Sequence, residues 1–215
     1  MTVHFDIAAY TRAAEQGDSD AMYTIGWRYA DGDGVEQSYE KAAYWYQQAV
    51  EAGHLEAMLF LGLLYAQGRH VLQDHKQAVA LYARAAEEGH VASMTALGIA
   101  YEWGEGVEVD PEEAFRLYSI AASQDYTPAM NFLASMYFNG WGVEKCLESS
   151  FKWYQKSALL GDPGGMYDLA WCFAKEYGHP VDREMAEHWL IRAHEAGHDK
   201  AKDAMKQLDL GLDPE

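Results

Sequence analysis

His194-Glu195-Ala196-Gly197-His198 reads H-E-x-x-H, a pattern in which two imidazoles bind zinc and the intervening Glu serves as general base. That chemistry needs both His one turn apart on one face of one helix. Gly197 has the spacing of a helix-ending residue, and His54 and His90 stand at the position of His198 in earlier copies of the same pattern. His198 is therefore expected in a turn past the helix end, and no metal is expected. Asp31-Gly32-Asp33-Gly34 resembles the opening of a calcium loop, but Val35 stands where the third ligand belongs and no Glu follows at the right distance. Gly104-Glu105-Gly106 has no strand before it, so it reads as a turn and not a dinucleotide loop. Ser, His and Asp are all present, yet no spacing assembles them into a triad. No catalytic residue and no cofactor are expected.

The chain has 215 residues, 49% hydrophobic and 23% charged, enough to bury a core. Its net charge of −18 opposes binding to phosphate backbones and to anionic membrane surfaces, so neither nucleic acid nor membrane is an expected partner. No apolar run approaches the roughly 20 residues needed to span a bilayer. The N-terminal Met-Thr-Val-His-Phe-Asp has neither the basic nor the apolar region of a secretory signal. Cys146 and Cys172 make no disulfide framework and read as small packed residues. The expected location is cytoplasmic.

The elements that must position any site are set by a repeat. Gly17, Gly53, Gly89, Gly161 and Gly197 lie on a 36-residue grid, with Asp125 on the remaining point. Ala21-Met22, Ala57-Met58 and Ala129-Met130 recur in register, followed by a small residue (Gly26, Gly62, Gly98, Ala134, Ala170) and an aromatic (Tyr29, Tyr65, Tyr101, Tyr137, Phe173). Gly32, Gly68, Gly104 and Gly140 come next, then Val35, Val71, Val107 and Val143. The second half of each copy carries Ala42, Ala78, Ala114, Ser150 and Ala186 in one column and Tyr46, Tyr82, Tyr118 and Tyr154 in another. The spacing predicts two helices per copy, the first ending at a Gly able to adopt the left-handed conformation. The second is capped by Ser38, Asp74, Asp110 or Asp182. Ala21, Met22, Gly26 and Tyr29, with their equivalents in units two to four, are the predicted core. Five units occupy 18–53, 54–89, 90–125, 126–161 and 162–197, between a capping helix in 1–17 and a capping helix and frayed tail in 198–215. Lys202 and Lys206 make that last helix polar. Stacked helix pairs bury a continuous core that one pair alone cannot.

These landmarks, with Gly-x-Gly-Val and the segment Lys41-Ala42-Ala43-Tyr44-Trp45-Tyr46, resemble the Sel-like repeat family, a relative of the tetratricopeptide repeats. The resemblance covers nearly the whole chain. It implies an all-α, right-handed superhelical solenoid of antiparallel helix pairs, and a non-enzymatic adaptor or scaffold. Members include secreted factors, host-interaction proteins and immunity proteins. The fifth unit departs from the pattern, with Glu176, Tyr177 and His179 in place of the Gly, loop and Val landmarks.

Removing the core columns from the first helix of each unit leaves the residues that would face a concave groove. The candidates are Tyr23, Trp27 and Asp31; Glu56 and Leu63; Glu102 and Trp103; Asn131, Phe138 and Asn139; Tyr167 and Trp171. Aromatic residues are enriched where partners bind. Trp27, Trp103, Phe138, Tyr167 and Trp171 are therefore expected on one concave surface, with Asp31, Glu56 and Glu102 as rim carboxylates steering a basic partner. The loops near Trp141 and Tyr177 are the alternative surface. The leading function is a protein-interaction module holding another protein or peptide, as a monomer or weak homodimer. The alternatives are an immunity protein neutralising a toxin, a hydrolase using groove carboxylates, and a purely structural oligomeriser.

Overall fold

The computed structural model describes residues 6–69 and 72–208. Among these there are twelve helices and no strand: α1 (Ile7–Glu15), α2 (Ser19–Asp31), α3 (Tyr39–Glu51), α4 (Leu55–Gln67), α5 (His75–Glu87), α6 (Val91–Trp103), α7 (Pro111–Ser123), α8 (Thr127–Asn139), α9 (Leu147–Leu159), α10 (Pro163–Lys175), α11 (Arg183–Glu195) and α12 (Ala201–Gln207). Val71 and the tail expected to fray lie outside the described residues, as does the start of the front capping segment. The chain divides into two compact halves, Met1–Val109 and Asp110–Glu215. In each, consecutive helices pack as a stack of pairs.

Capping sets the helix ends. Ser38, Asp74, Asp110 and Asp182 each accept the backbone N–H three residues on, satisfying one orphan donor of the helix they open. Three of these pairs are then closed by a cross-link: Ser38 N–H donates to Tyr29 C=O at 2.8 Å, Asp74 N–H to Tyr65 C=O at 3.0 Å and Asp182 N–H to Phe173 C=O at 3.0 Å. The first helices stop at left-handed glycines, Gly32 at φ 79° and Gly104 at φ 73° among them.

The fifth unit keeps this turn without the glycine. Glu176 takes φ 59° itself, and Gly178 follows at φ 80°. A non-glycine residue there costs about 1–2 kcal/mol in Cβ–carbonyl crowding. Glu176→Gly is therefore expected to raise stability by about 1 kcal/mol, after the extra freedom of glycine in the unfolded chain is subtracted. Equilibrium urea unfolding measures it, and a loss of stability would show that the Glu176 side chain holds the loop.

The core differs from the expected set in one column and at one methionine. Tyr29, Tyr65, Tyr101 and Tyr137 are half-buried. They sit in the last turn before the loop and are only partly covered: Tyr29 packs against the buried cluster of Ala14, Ala21 and Ile25 with Lys41 over its ring at 5.2 Å, and Phe115 meets Tyr137 edge-on at 5.3 Å. The deep aromatic column is instead Tyr46, Tyr82, Tyr118 and Tyr154, with Ile25, Leu61, Leu97, Leu133 and Leu169 beside it. Met22 is also half-buried, flanked on its outer side by the short α1, while Met58, Met94, Met130 and Met166 are buried. The glycine column has its reason in the tyrosines: a Cβ on Gly26 would lie 2.6 Å from Tyr46 Cδ1, and Gly62 stands against Tyr82 in the same way. In α12, Ala201, Ala204 and Met205 are buried and Lys202 and Lys206 exposed.

Candidate functional site

In the first half the groove columns come from α2, α4 and α6. Tyr23 stacks on His54 with ring centroids 4.6 Å apart and touches Phe60 at 5.8 Å. Burial, then the Glu56 charge, raises its hydroxyl above the usual tyrosine range. His54 caps α4, Nδ1 accepting the Ala57 N–H at 3.1 Å, and its Nε2 lies 3.2 Å from Asp20. One repeat later His90 Nε2 lies 2.7 Å from Glu56 Oε2. A carboxylate can only accept, so Nε2 carries a proton; Nδ1 lies 2.8 Å from the Ser93 hydroxyl and in the neutral ring accepts from it. Glu56 is thus already engaged within the chain, and not the free rim charge that its column suggested.

Two cavities open beside these rungs. One, of about 320 Å³, lies between α2 and α4, with Trp27, Asp31, Tyr39, Phe60 and Leu63 around the Tyr46 ring. The second, of about 390 Å³, lies between α4 and α6, with Leu63, Val79, Ala96, Ile99 and Glu105 around Tyr82. Trp27 and Leu63 therefore line openings. Trp103, at the end of α6, is 68% exposed, and Glu102 beside it is half-buried.

In the second half the columns come from α8 and α10. Asn131 donates to Asp162 at 2.7 Å, while its own Oδ1 is buried without a partner. Asp162 also accepts the Gly165 N–H at 2.6 Å, which caps α10. Asn139 folds back on its own helix, donating to the Ser135 carbonyl at 3.0 Å. Phe138 meets Tyr177 edge-on at 4.9 Å, so the loop that stood as an alternative surface is continuous with this column. Lys145 lies over the Phe138 ring at 5.5 Å and Lys175 over Trp171 at 5.9 Å. Tyr167 contacts Trp171 and stacks on His198 at 4.3 Å.

One residue escaped the reading of columns. Asp168 holds the position occupied by Phe60 and Phe132 in other repeats. Phe60 and Phe132 stack on Tyr46 and Tyr118, at 5.8 and 5.0 Å. Burial, reinforced by the Asp162 charge, lifts the Asp168 carboxyl to about 6. Burial likewise raises Tyr154, and lifts the Cys172 thiol to about 12. A lone charge in an otherwise uncharged column was the signal available in the sequence.

The zinc-like motif is not brought together. His194 is exposed in α11, whereas His198 lies beyond Gly197 and packs on Tyr167. Among the described residues no three His, Cys, Asp or Glu side chains are grouped to hold a metal. No helix among them is long and apolar enough to cross a membrane.

The repeat carries its own family signature. The Sel1 repeat family matches residues 10–18, 19–54, 55–90, 91–126, 127–162 and 163–198. No curated protein is significantly similar to the chain. A Sel1 repeat protein from Oxalobacter formigenes superposes with a TM-score of 0.86 at 30% identity, over 97% of this chain and 87% of that one. A protective antigen of uropathogenic Escherichia coli with an SLR fold gives 0.80 at 34% identity, over 95% of this chain; the present chain spans 45% of its length. An immunity protein of Pseudomonas aeruginosa gives 0.62 at 23% identity, over 90% of this chain and 74% of that one, a likeness of fold alone. Proteins built from these repeats generally serve as non-enzymatic scaffolds for protein–protein interaction. With an all-helical fold, and a repeat signature running from residue 10 to residue 198, the chain belongs to the Sel1 repeat family.

Proposed function

We propose that this chain is a non-catalytic adaptor that holds a segment of another protein against the first helices of its repeats. The observation that carries the reading is the pair of cavities lined by Trp27, Leu63 and Ile99, side chains on helix faces that would otherwise be polar. The partner is basic in character, because the chain carries a net charge of −18 and Asp31 and Glu105 stand at the cavity mouths.

A hydrolase would need more than one shifted carboxyl. Asp168 is raised, but its neighbours Tyr154 and Cys172 are held protonated by burial, so no nucleophile beside it is activated. The nearby Asp162 carboxylate is occupied by Asn131 and the Gly165 N–H. Desolvation accounts for Asp168 without catalysis.

The test is to capture the partner with the tagged chain, purify it, and measure its affinity for Trp27→Ala and Trp171→Ala. Truncating a buried interface aromatic costs about 2 kcal/mol, roughly thirtyfold in affinity. If both variants remain folded and bind as the parent does, the face formed by these helices is not the binding surface.

A further inference from the structure

We propose that the two cavities of the first half form one tandem site for an extended segment of a partner protein. That segment carries a large apolar side chain and, three residues away, an arginine or lysine. The inference rests on the adaptor reading and names the segment that it would hold.

The cavities are copies. Ten of the eleven residues lining the first recur 36 positions later in the second, so Trp27 becomes Leu63, Tyr46 becomes Tyr82 and Leu63 becomes Ile99. Three replacements set their preferences apart. Phe60 becomes Ala96, which leaves the second cavity larger, about 390 Å³ against about 320 Å³. Arg69 becomes Glu105 and Asp31 becomes Gln67, so a mouth with one cation and one acid becomes a mouth whose only formal charge is negative.

The first cavity already has cations beside it and, in Asp31, its own acid. Arg69 lies over the Tyr39 ring at 5.4 Å and Arg28 over Trp27 at 5.2 Å. Its remaining apolar wall of Phe60, Leu63 and Leu64 suits an uncharged side chain. The second has no Lys or Arg among its lining residues. Its acid is Glu105, 3.8 Å from His75, and Leu63, Val79 and Ile99 are positioned for the aliphatic stem of a basic residue whose head reaches the carboxylate.

The spacing follows from α4, which forms a wall of both cavities. A helix with its side chains is about 10 Å across, so openings on its two sides lie about that far apart. A polyproline II chain has three residues per turn and rises about 3.1 Å per residue, so residues i and i+3 share a face about 9 Å apart. Gln67 lines both cavities and is exposed. Its amide can bond the backbone of an extended chain, whereas a helix spends its carbonyls internally.

The probes are fluorescein-labelled proline-rich peptides carrying Phe and Arg three residues apart, in either order. Controls place the two residues two apart, replace Arg by Glu, or set them seven apart in a helical peptide. Binding to the full chain is followed by fluorescence anisotropy. The three-residue spacing is expected to bind about tenfold tighter than the two-residue spacing. Ala96→Phe fills the second cavity with the residue that this column already holds at Phe60 and Phe132, so folding is retained. It should weaken the probe about tenfold with an unchanged or raised thermal midpoint. Glu105→Gln should remove the preference for Arg over Glu.

Equal binding at both spacings, no binding by either spaced probe, tighter binding of the helical probe, or full affinity in Ala96→Phe each overturns the inference. If a captured partner loses affinity on Trp27→Ala but is indifferent to Ala96→Phe and Glu105→Gln, the tandem site fails while the adaptor reading stands.

Discussion

Gly62→Leu is expected to destabilise the chain by about 3 kcal/mol, and Gly62→Ala by about 1 kcal/mol or less. The glycine lies in α4 with the Tyr82 ring directly against it. A Cβ there would lie 3.0 Å from Cδ1 and 3.1 Å from Cζ, and closer still to Cε1. Tyr82 is buried, so its ring must shift to admit the added atoms. Overpacking of this kind costs typically 1–3 kcal/mol. Alanine recovers about 1 kcal/mol of helix propensity over glycine, which offsets part of it. The fourth repeat carries Ala134 in this column with Tyr154 still buried, so one methyl group can be accommodated. Leucine adds three further carbons in the same space. Urea unfolding of both variants decides it: a Gly62→Leu protein within about 0.5 kcal/mol of the parent would mean that α4 and α5 are not packed through this pair.

The second large effect is a pH dependence through Asp168. The folded carboxyl keeps its proton up to about pH 6, whereas an unfolded aspartate releases it near pH 4. Between these values the folded state binds more protons, so this group's contribution to stability falls as pH rises from about 4 to about 6 and stays low above that. A two-unit difference corresponds to just under 3 kcal/mol; the side chain is only partly shielded from water, so about 2 kcal/mol is expected. Asp168→Asn should be more stable than the parent by about that amount at pH 7.5 and equal to it near pH 4. The difference between the two proteins is the quantity to follow, because the net charge of −18 shifts both alike. A gap that does not change between pH 4 and pH 7 would show that Asp168 is solvated. Asp168→Phe, restoring the residue that stacks on Tyr46 and Tyr118 elsewhere, should add stability at neutral pH.

What can be read along the chain is what each repeat states again. The caps at Ser38, Asp74, Asp110 and Asp182, the turns at Gly32 and Gly104 and the small residues at Gly26 and Gly62 all follow from local chemistry at a fixed spacing. The first-helix face carrying Trp27 and Leu63 follows as well, once the core columns are removed. Depth of burial does not follow. Tyr29 and Tyr46 look alike as columns, yet Tyr46 is fully buried and Tyr29 half-covered, because Tyr46 lies against Gly26 between the two helices of its pair whereas Tyr29 stands in the last turn of its helix. Partners do not follow either. Glu56 and Asn131 read as free groove residues until folding sets them against His90 and Asp162. Asp168 escapes notice until folding half-buries it near Asp162, Tyr154 and Cys172. The sequence alone determined the helices, their ends and the faces that pair, because these depend on residues within a few positions of one another. Only the tertiary structure decided which groove side chains are engaged and where the cavities open, because those contacts join residues some 30 positions apart whose reach depends on how the helices pack.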